Sequence, residues 1–391
     1  MNYILFDGDV RTSLLPFTYT KPVADIRVGI LTIREKWEKY LESTTTTITE
    51  AYLEEKYPMV EMEKNVLLNA SFLPTKSLIR EIQSLSKNQA IFKGEDVIAF
   101  YTEDTQEEVD FSLYKQIEFE EEIIQIKNTW DIFSLNDKAI KIDFDLITEG
   151  RESEPIPETV NYINKKDIFI EEGAKLSFAT LNATNGPIYI GKDAEIMEGV
   201  LVRGALAMCE KSVLKMGAKV YGATTLGPCC KVGGEVNNSI LMGYSSKGHE
   251  GYLGNSVIGE WCNIGADTNN SNLKNNYAEV KLWSYETGRF AKTGLQFCGL
   301  MMGDHSKCGI NTMFNTGTVI GVSANIFGTG FPRNFVPSYS WGGAAGFTEY
   351  KTNKVFEVAE VVMKRRDIEF DEKEKKILEH VFEESKKYRK Y

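Results

Sequence analysis

The chain has 391 residues, more than one compact core usually holds, so two units or one unit beside a repeat array are expected. Its net charge of −11, with no dominant block of Lys or Arg, argues against nucleic acid or anionic lipid as the main partner. No run approaches the roughly 18 consecutive apolar residues of a membrane helix, and the six cysteines contain no C-x-x-C pair that would mark a zinc ribbon or a redox dithiol.

The opening "MNYILFDGDVRTSLL" has no basic region followed by an apolar stretch of signal length, so a cytoplasmic location is expected, with the thiols small, reduced and buried. "NYILF" reads as a strand, followed by the loop "DGDVRTSLLPFTYTKP" and an amphipathic helix over "RVGILTIREKWEKYL". "KNVLLNASFLPTKSLIREIQSL" repeats the order of strand, loop and helix, and "QAIFKGEDVIAFYT" reads as a hairpin around Lys93-Gly94. An α/β unit over residues 1–150 is therefore expected. In its first loop Gly8, Arg11 and Lys21 are candidates for phosphate contacts, because a loop after a first strand offers backbone N–H groups and cations to an anion. The polar, proline-containing stretch "TEGRESEPIPETV" marks its end.

The second half carries a period of six. Ile190, Ile196, Val202, Met208, Leu214, Val220, Leu226 and Val232 are all apolar, and a second register runs Met302, Cys308, Phe314, Ile320, Ile326. Six fits neither a helix at 3.6 nor a single strand at 2. It fits short strands joined by tight corners, with one large side chain per strand stacked inward, which is a parallel β-helix over residues 160–345. Between Asp267 and Phe297 the period is lost in an Asn-rich stretch read as a loop thrown out of the stack. His305 falls at a corner position. Residues 350–391 are rich in Glu, Lys and Leu-type residues and read as C-terminal helices, with His380 on a solvated face.

Inside the repeats stands "GHEGYLGNSVIGEWCNIGAD", with Gly248-His249, Tyr252-Leu253-Gly254-Asn255, Ile258-Gly259 and Asn263-Ile264-Gly265-Ala266. Together with "GDVRTSLLPFTYTKP" it resembles the bifunctional UDP-N-acetylglucosamine pyrophosphorylase/glucosamine-1-phosphate N-acetyltransferase family (GlmU type), closest to an alternate bacterial branch with a shortened sugar nucleotidyltransferase domain. The resemblance implies a left-handed β-helix, a homotrimer with sites between subunits, and acetyl-CoA-dependent N-acetylation of an amino-sugar phosphate, glucosamine-1-phosphate in the family. A histidine suits that chemistry, since the attacking amine must lose a proton and imidazole titrates near neutral pH.

By the same matching His249 is the general base, Tyr252, Asn263 and Asn272 contact the sugar, and Ala266 lies near the acetyl-CoA thioester. The family's phosphate-binding arginine and lysine fall on Tyr221 and Asn237, which leaves Arg203, Lys281 and Lys247 as candidate cations. In the first unit the resemblance implies uridylyl transfer from UTP with Mg²⁺, through Gly8, Arg11 and Lys21. The family's metal-holding aspartate is Asn69 here, with Asp7 or Asp9 as substitute carboxylates. Two other readings stand beside this one: a nucleotidyltransferase with an assembly-only solenoid, and a non-catalytic sugar-nucleotide sensor.

Overall fold

The computed structural model describes residues 1–103 and 109–391. The first apolar run forms β1 (Asn2–Phe6), hydrogen-bonded in parallel to β2 (Thr45–Ile48) on one side and β3 (Asn65–Asn69) on the other. β4 (Gln89–Lys93) and β5 (Asp96–Thr102) form the expected hairpin, β5 pairs antiparallel with β3, and β6 (Lys115–Glu118) closes the edge beside β4. The described sheet runs β2-β1-β3-β5-β4-β6.

The first helix, α1, spans only Ile33–Leu41. Thr32 and Glu35 form a capping box that fixes its start, which releases residues 27–31 to reach the second half of the chain. α2 (Lys76–Gln83) starts at Thr75, whose hydroxyl accepts from the Leu78 amide. Two further helices, α3 (Thr129–Ser134) and α4 (Asn136–Thr148), complete the unit.

From Asn161 the chain winds a parallel β-solenoid of left-handed β-helix type, with one strand on each of three faces per coil. The first face opens with Asn161–Ile163, the second with Ile168–Ile170 and the third with Lys175–Leu176. The period of six follows directly, because three short strands and their corners make coils of eighteen residues, pairing Ile190 with Met208 and Met208 with Leu226. All eight residues of the first register are buried, as are the five of the second. Each such aliphatic contributes about 1.5–3 kcal/mol by leaving water. Later coils are shorter, pairing Leu226 with Leu241 and Leu241 with Ile258, so a strict period fades before the excursion begins.

Asn269–Asn270 still pairs in parallel with Met313–Phe314, so the excursion leaves the stack later than Asp267. It contains an antiparallel hairpin, Lys281–Ser284 with Arg289–Lys292. The tail forms α5 (Thr352–Lys364) and α6 (Glu372–Glu384). His380 on α6 is not simply solvated: its ring stacks on Tyr52 at 3.9 Å between centroids. Cys229 is the one cysteine not buried.

The first unit, the hairpin and the tail helices share one apolar core with the outer side of the second face, through Ile240, Met242, Val257, Met301 and Val319. Polar contacts fix the docking. Thr225 Oγ1 donates to the Gly29 carbonyl at 2.9 Å, and Asn136 Nδ2 donates to the Ala223 carbonyl at 3.1 Å. Tyr339 Oη, at the last coil, donates to the Leu378 carbonyl of α6 at 2.6 Å.

Candidate functional site

The corner between the second and third faces is a column of residues with left-handed φ: Lys211, Cys229, Tyr244, Trp261, His305, Ser323 and Tyr339. Each donates its backbone N–H to the residue just before the corner in the preceding coil, as from Trp261 to Gly243 and from His305 to Glu260. His305 is therefore the corner residue its context indicated. It is buried, its Nδ1 has no partner among the described residues, and burial, then Lys307 and Lys56, push its pKa well down.

Glu260 and Asp304, each one residue before the corner in successive coils, reach across to the first unit. Lys21 Nζ lies 2.9 Å from Glu260 and 3.0 Å from Asp304, and Thr20 donates to Asp304 at 2.6 Å. Burial works against the Lys21 charge, but Asp304 and Glu260 outweigh it and raise the pKa. Its ammonium is thus spent on docking and is not open to a nucleotide. Arg11 is likewise engaged, donating to Asp7 at 2.8 Å, the Thr18 carbonyl at 2.6 Å and Tyr52 Oη at 2.9 Å.

Gly8 alone of the three phosphate candidates lines the large cleft of the first unit, about 520 Å³, with Asp9, Asn69, Asp96 and Phe100. Its φ of +62° suits glycine, and a Cβ there would meet the Asn69 side chain at 3.4 Å. Asp7 is fully occupied, accepting from Arg11, from Thr49 Oγ1 at 2.6 Å and from the Val23 amide at 2.7 Å. Asp9 is left as the carboxylate beside Gly8. Among the described residues no cluster of three His, Cys, Asp or Glu could hold a metal; Asp9, Glu95 and Asp96 are the carboxylates that line this cleft and could assist phosphate oxygens in holding Mg²⁺.

In the solenoid, the strand Ser246–Lys247 of the third face turns into Gly248-His249 at the corner leading to the first face. Lys247 occupies an inward position, paired in register with Val232, and is buried. It donates to the Gly233 carbonyl at 2.9 Å and the His249 carbonyl at 2.8 Å, and burial lowers its pKa to about 8. It is therefore no phosphate ligand; it pins the backbone of the turn that presents His249, whose side chain is exposed.

On the first face, Asn272 Nδ2 donates to Tyr252 Oη at 2.9 Å and to Asn255 Oδ1 at 2.7 Å. The pair packs over Gly254, where a Cβ would collide with the Tyr252 hydroxyl. Along the same face a groove of about 480 Å³ is lined by Leu201, Arg203, Lys219, Tyr221 and Glu235. Tyr221 Oη donates to Glu235 at 2.6 Å, and Lys219 Nζ lies 3.9 Å from Glu250, the neighbour of His249. Lys219 was missed in the sequence because it sits on the outward position of a repeat strand, where charge is ordinary.

Ala266 stands on the His249 corner one coil on, since the Asp267 amide donates to the Glu250 carbonyl at 2.9 Å. Asn263 does not join Tyr252; it is exposed on the third face and lines a different pocket. Lys281 is exposed on the inserted hairpin, off the first face.

Residues 3–152 match the family model described as sugar nucleotidyl transferase. The first unit is thus a nucleotidyltransferase-like domain. Among solved structures the chain is similar to the polySia-specific acetyltransferase NeuO, at 12% identity over 49% of this chain and 85% of that one, with a TM-score of 0.24. It is also similar to an Arabidopsis UDP-N-acetylglucosamine acyltransferase, at 16% over 55% and 80% with a TM-score of 0.24. AntD, an N-acyltransferase from Bacillus cereus in complex with dTDP and 3-hydroxybutyryl-CoA, follows at 12% over 53% and 91% with a TM-score of 0.23. No curated protein matches the chain at a significant level.

Proposed function

We propose that the solenoid carries out acetyl-CoA-dependent N-acetylation of an amino-sugar phosphate, with glucosamine-1-phosphate as the acceptor. The observation that carries this reading is the His249 turn: an exposed imidazole on a backbone pinned by Lys247, stacked beside Ala266, and leading into the Tyr252–Asn272–Asn255 network. The amine nitrogen attacks the thioester carbonyl, its proton passes to the His249 imidazole, and the C–S bond breaks to leave CoA, which takes the proton back as thiol. Tyr252 and Asn272 hold the sugar. Arg203 and Lys219 in the adjoining groove supply cations for the phosphate in place of Tyr221 and Asn237.

The protein acts as a homotrimer in this reading. The corner that bears His249 also exposes Phe178, Met216 and Ile310, 65%, 66% and 70% accessible, and Leu201 projects from the first face beside it. Such a stripe is costly in water unless a second copy covers it. The second face is already covered by the first unit and the tail. Acetyl-CoA and nucleoside triphosphates as substrates go with a cytoplasmic location.

Uridylyl transfer by the first unit is the second reading, favoured by the family match and the Gly8 cleft. The engagement of Lys21 and Arg11 elsewhere weighs toward a unit that binds a sugar nucleotide without turning it over. A radiolabelled UTP turnover assay, beside thiol release from acetyl-CoA with a panel of amino-sugar phosphates, tests both heads. Acetyl transfer without pyrophosphate release is the expected pattern, and pyrophosphate release with no acetyl transfer would reverse the assignment.

A further inference from the structure

A second pocket of about 420 Å³ lies between the outer side of the third face and the last turn of α5. Its walls carry four cations, Lys231 and Lys307 from the solenoid and Arg365 and Arg366 from the helix end, and no carboxylate. That is unusual in a chain of net charge −11. Among the described residues none of the four has a carboxylate partner: Lys307 donates only to the His305 carbonyl, at 2.8 Å. Lys231 is lowered by burial and then by Arg366, Lys215 and Arg365, a crowding of like charge that an anion would relieve.

The remaining walls are not those of a simple anion site. Tyr244 and Trp261 line the pocket as a parallel stack, 4.2 Å between centroids and 7° between planes. Val362 and Cys262 add apolar surface, while Ser246 and Asn263 offer hydrogen bonds. The volume falls in the range of about 300–1,000 Å³ that holds an organic ligand, well beyond what orthophosphate fills.

We infer that this pocket binds a nucleoside phosphate, its phosphates held by Lys231, Lys307, Arg365 and Arg366 and its base and ribose against Tyr244, Trp261 and Asn263. Two sources share that chemistry: the phosphorylated adenosine end of a coenzyme A thioester, and a free nucleoside di- or triphosphate. Ser246 and Asn263 begin the strands that end near His249 and Ala266, three residues on, about 10 Å at the rise of a strand. A long thioester anchored here would reach that corner. The inference concerns binding and stands or falls apart from acetyl transfer.

The test is calorimetric titration of the full chain with CoA, dephospho-CoA, UTP and orthophosphate, on wild type and on Arg365→Gln/Arg366→Gln. Both arginines lie at the accessible end of α5, and an unchanged melting curve verifies the fold of the variant. CoA or UTP is expected to bind wild type and to bind the double variant at least tenfold more weakly, with the loss growing at low salt. CoA binding that falls with dephospho-CoA assigns the acyl donor; UTP binding at least as tight as CoA assigns a free nucleotide. Binding unchanged in the variant, no binding of either nucleotide, or orthophosphate competing as well as the nucleotides would overturn the proposal.

Discussion

Lys247 stands where the repeat asks for an aliphatic, and its amine is accommodated only because two carbonyls, of Gly233 and His249, turn toward it. Burial holds its pKa near 8 against 10.5 in the unfolded chain. The native state therefore sheds this proton at lower pH than the unfolded state does, so the penalty is constant below pH 8 and is relieved as pH rises from 8 toward 10.5. Urea titrations should show wild type gaining stability across that interval, and Lys247→Met should lose part of the gain. An equal rise in both proteins would assign the effect to other groups. From the sequence, Lys247 looked like a phosphate cation, because a lysine beside Gly-His reads as solvent-facing until its register is known. That His249 and Tyr252 share one turn is legible in a short local string; the ion pairs of Lys21 are not, since its partners Glu260 and Asp304 lie more than two hundred residues away.

At the scale of elements, the repeat is readable wherever coils keep eighteen residues, and it blurs where they shorten, from Leu226 to Leu241 and from Leu241 to Ile258. The strands β2 and β6 carry no strand signal in the sequence, because "TTTI" and "KQIE" alternate no apolar residues. Helix α1 is shorter than the apolar pattern suggests because Ile30 and Leu31 are apolar for a different reason: they pack on Ala205, Ala207 and Ala223 of the solenoid. The clamp between these two parts is Lys21 with Glu260 and Asp304. Removing the sole partner of a buried charge costs about 3–5 kcal/mol; the cost is smaller here, because Glu260 stays 2.9 Å from Lys21. Asp304→Asn should lower the urea midpoint by a corresponding amount, with the larger loss in signals from the first unit. A midpoint unchanged within error would mean that apolar contacts alone hold the docking.

The whole molecule is a solenoid with one face buried by its own first unit, one corner left apolar, and a cationic pocket under the tail. Met216→Glu with Ile310→Glu should convert the proposed trimer to monomer in sedimentation and reduce the proposed acetyl transfer at least tenfold, while circular dichroism stays unchanged. A monomeric wild type would remove the shared site from the account. The most direct test of the central claim is acetyl-CoA thiol release with glucosamine-1-phosphate, wild type against His249→Ala at saturating substrate. The account predicts turnover in wild type and a loss of at least a hundredfold in the variant, with its melting temperature preserved. Near-normal turnover in His249→Ala, or none in a well-folded wild type, would contradict it.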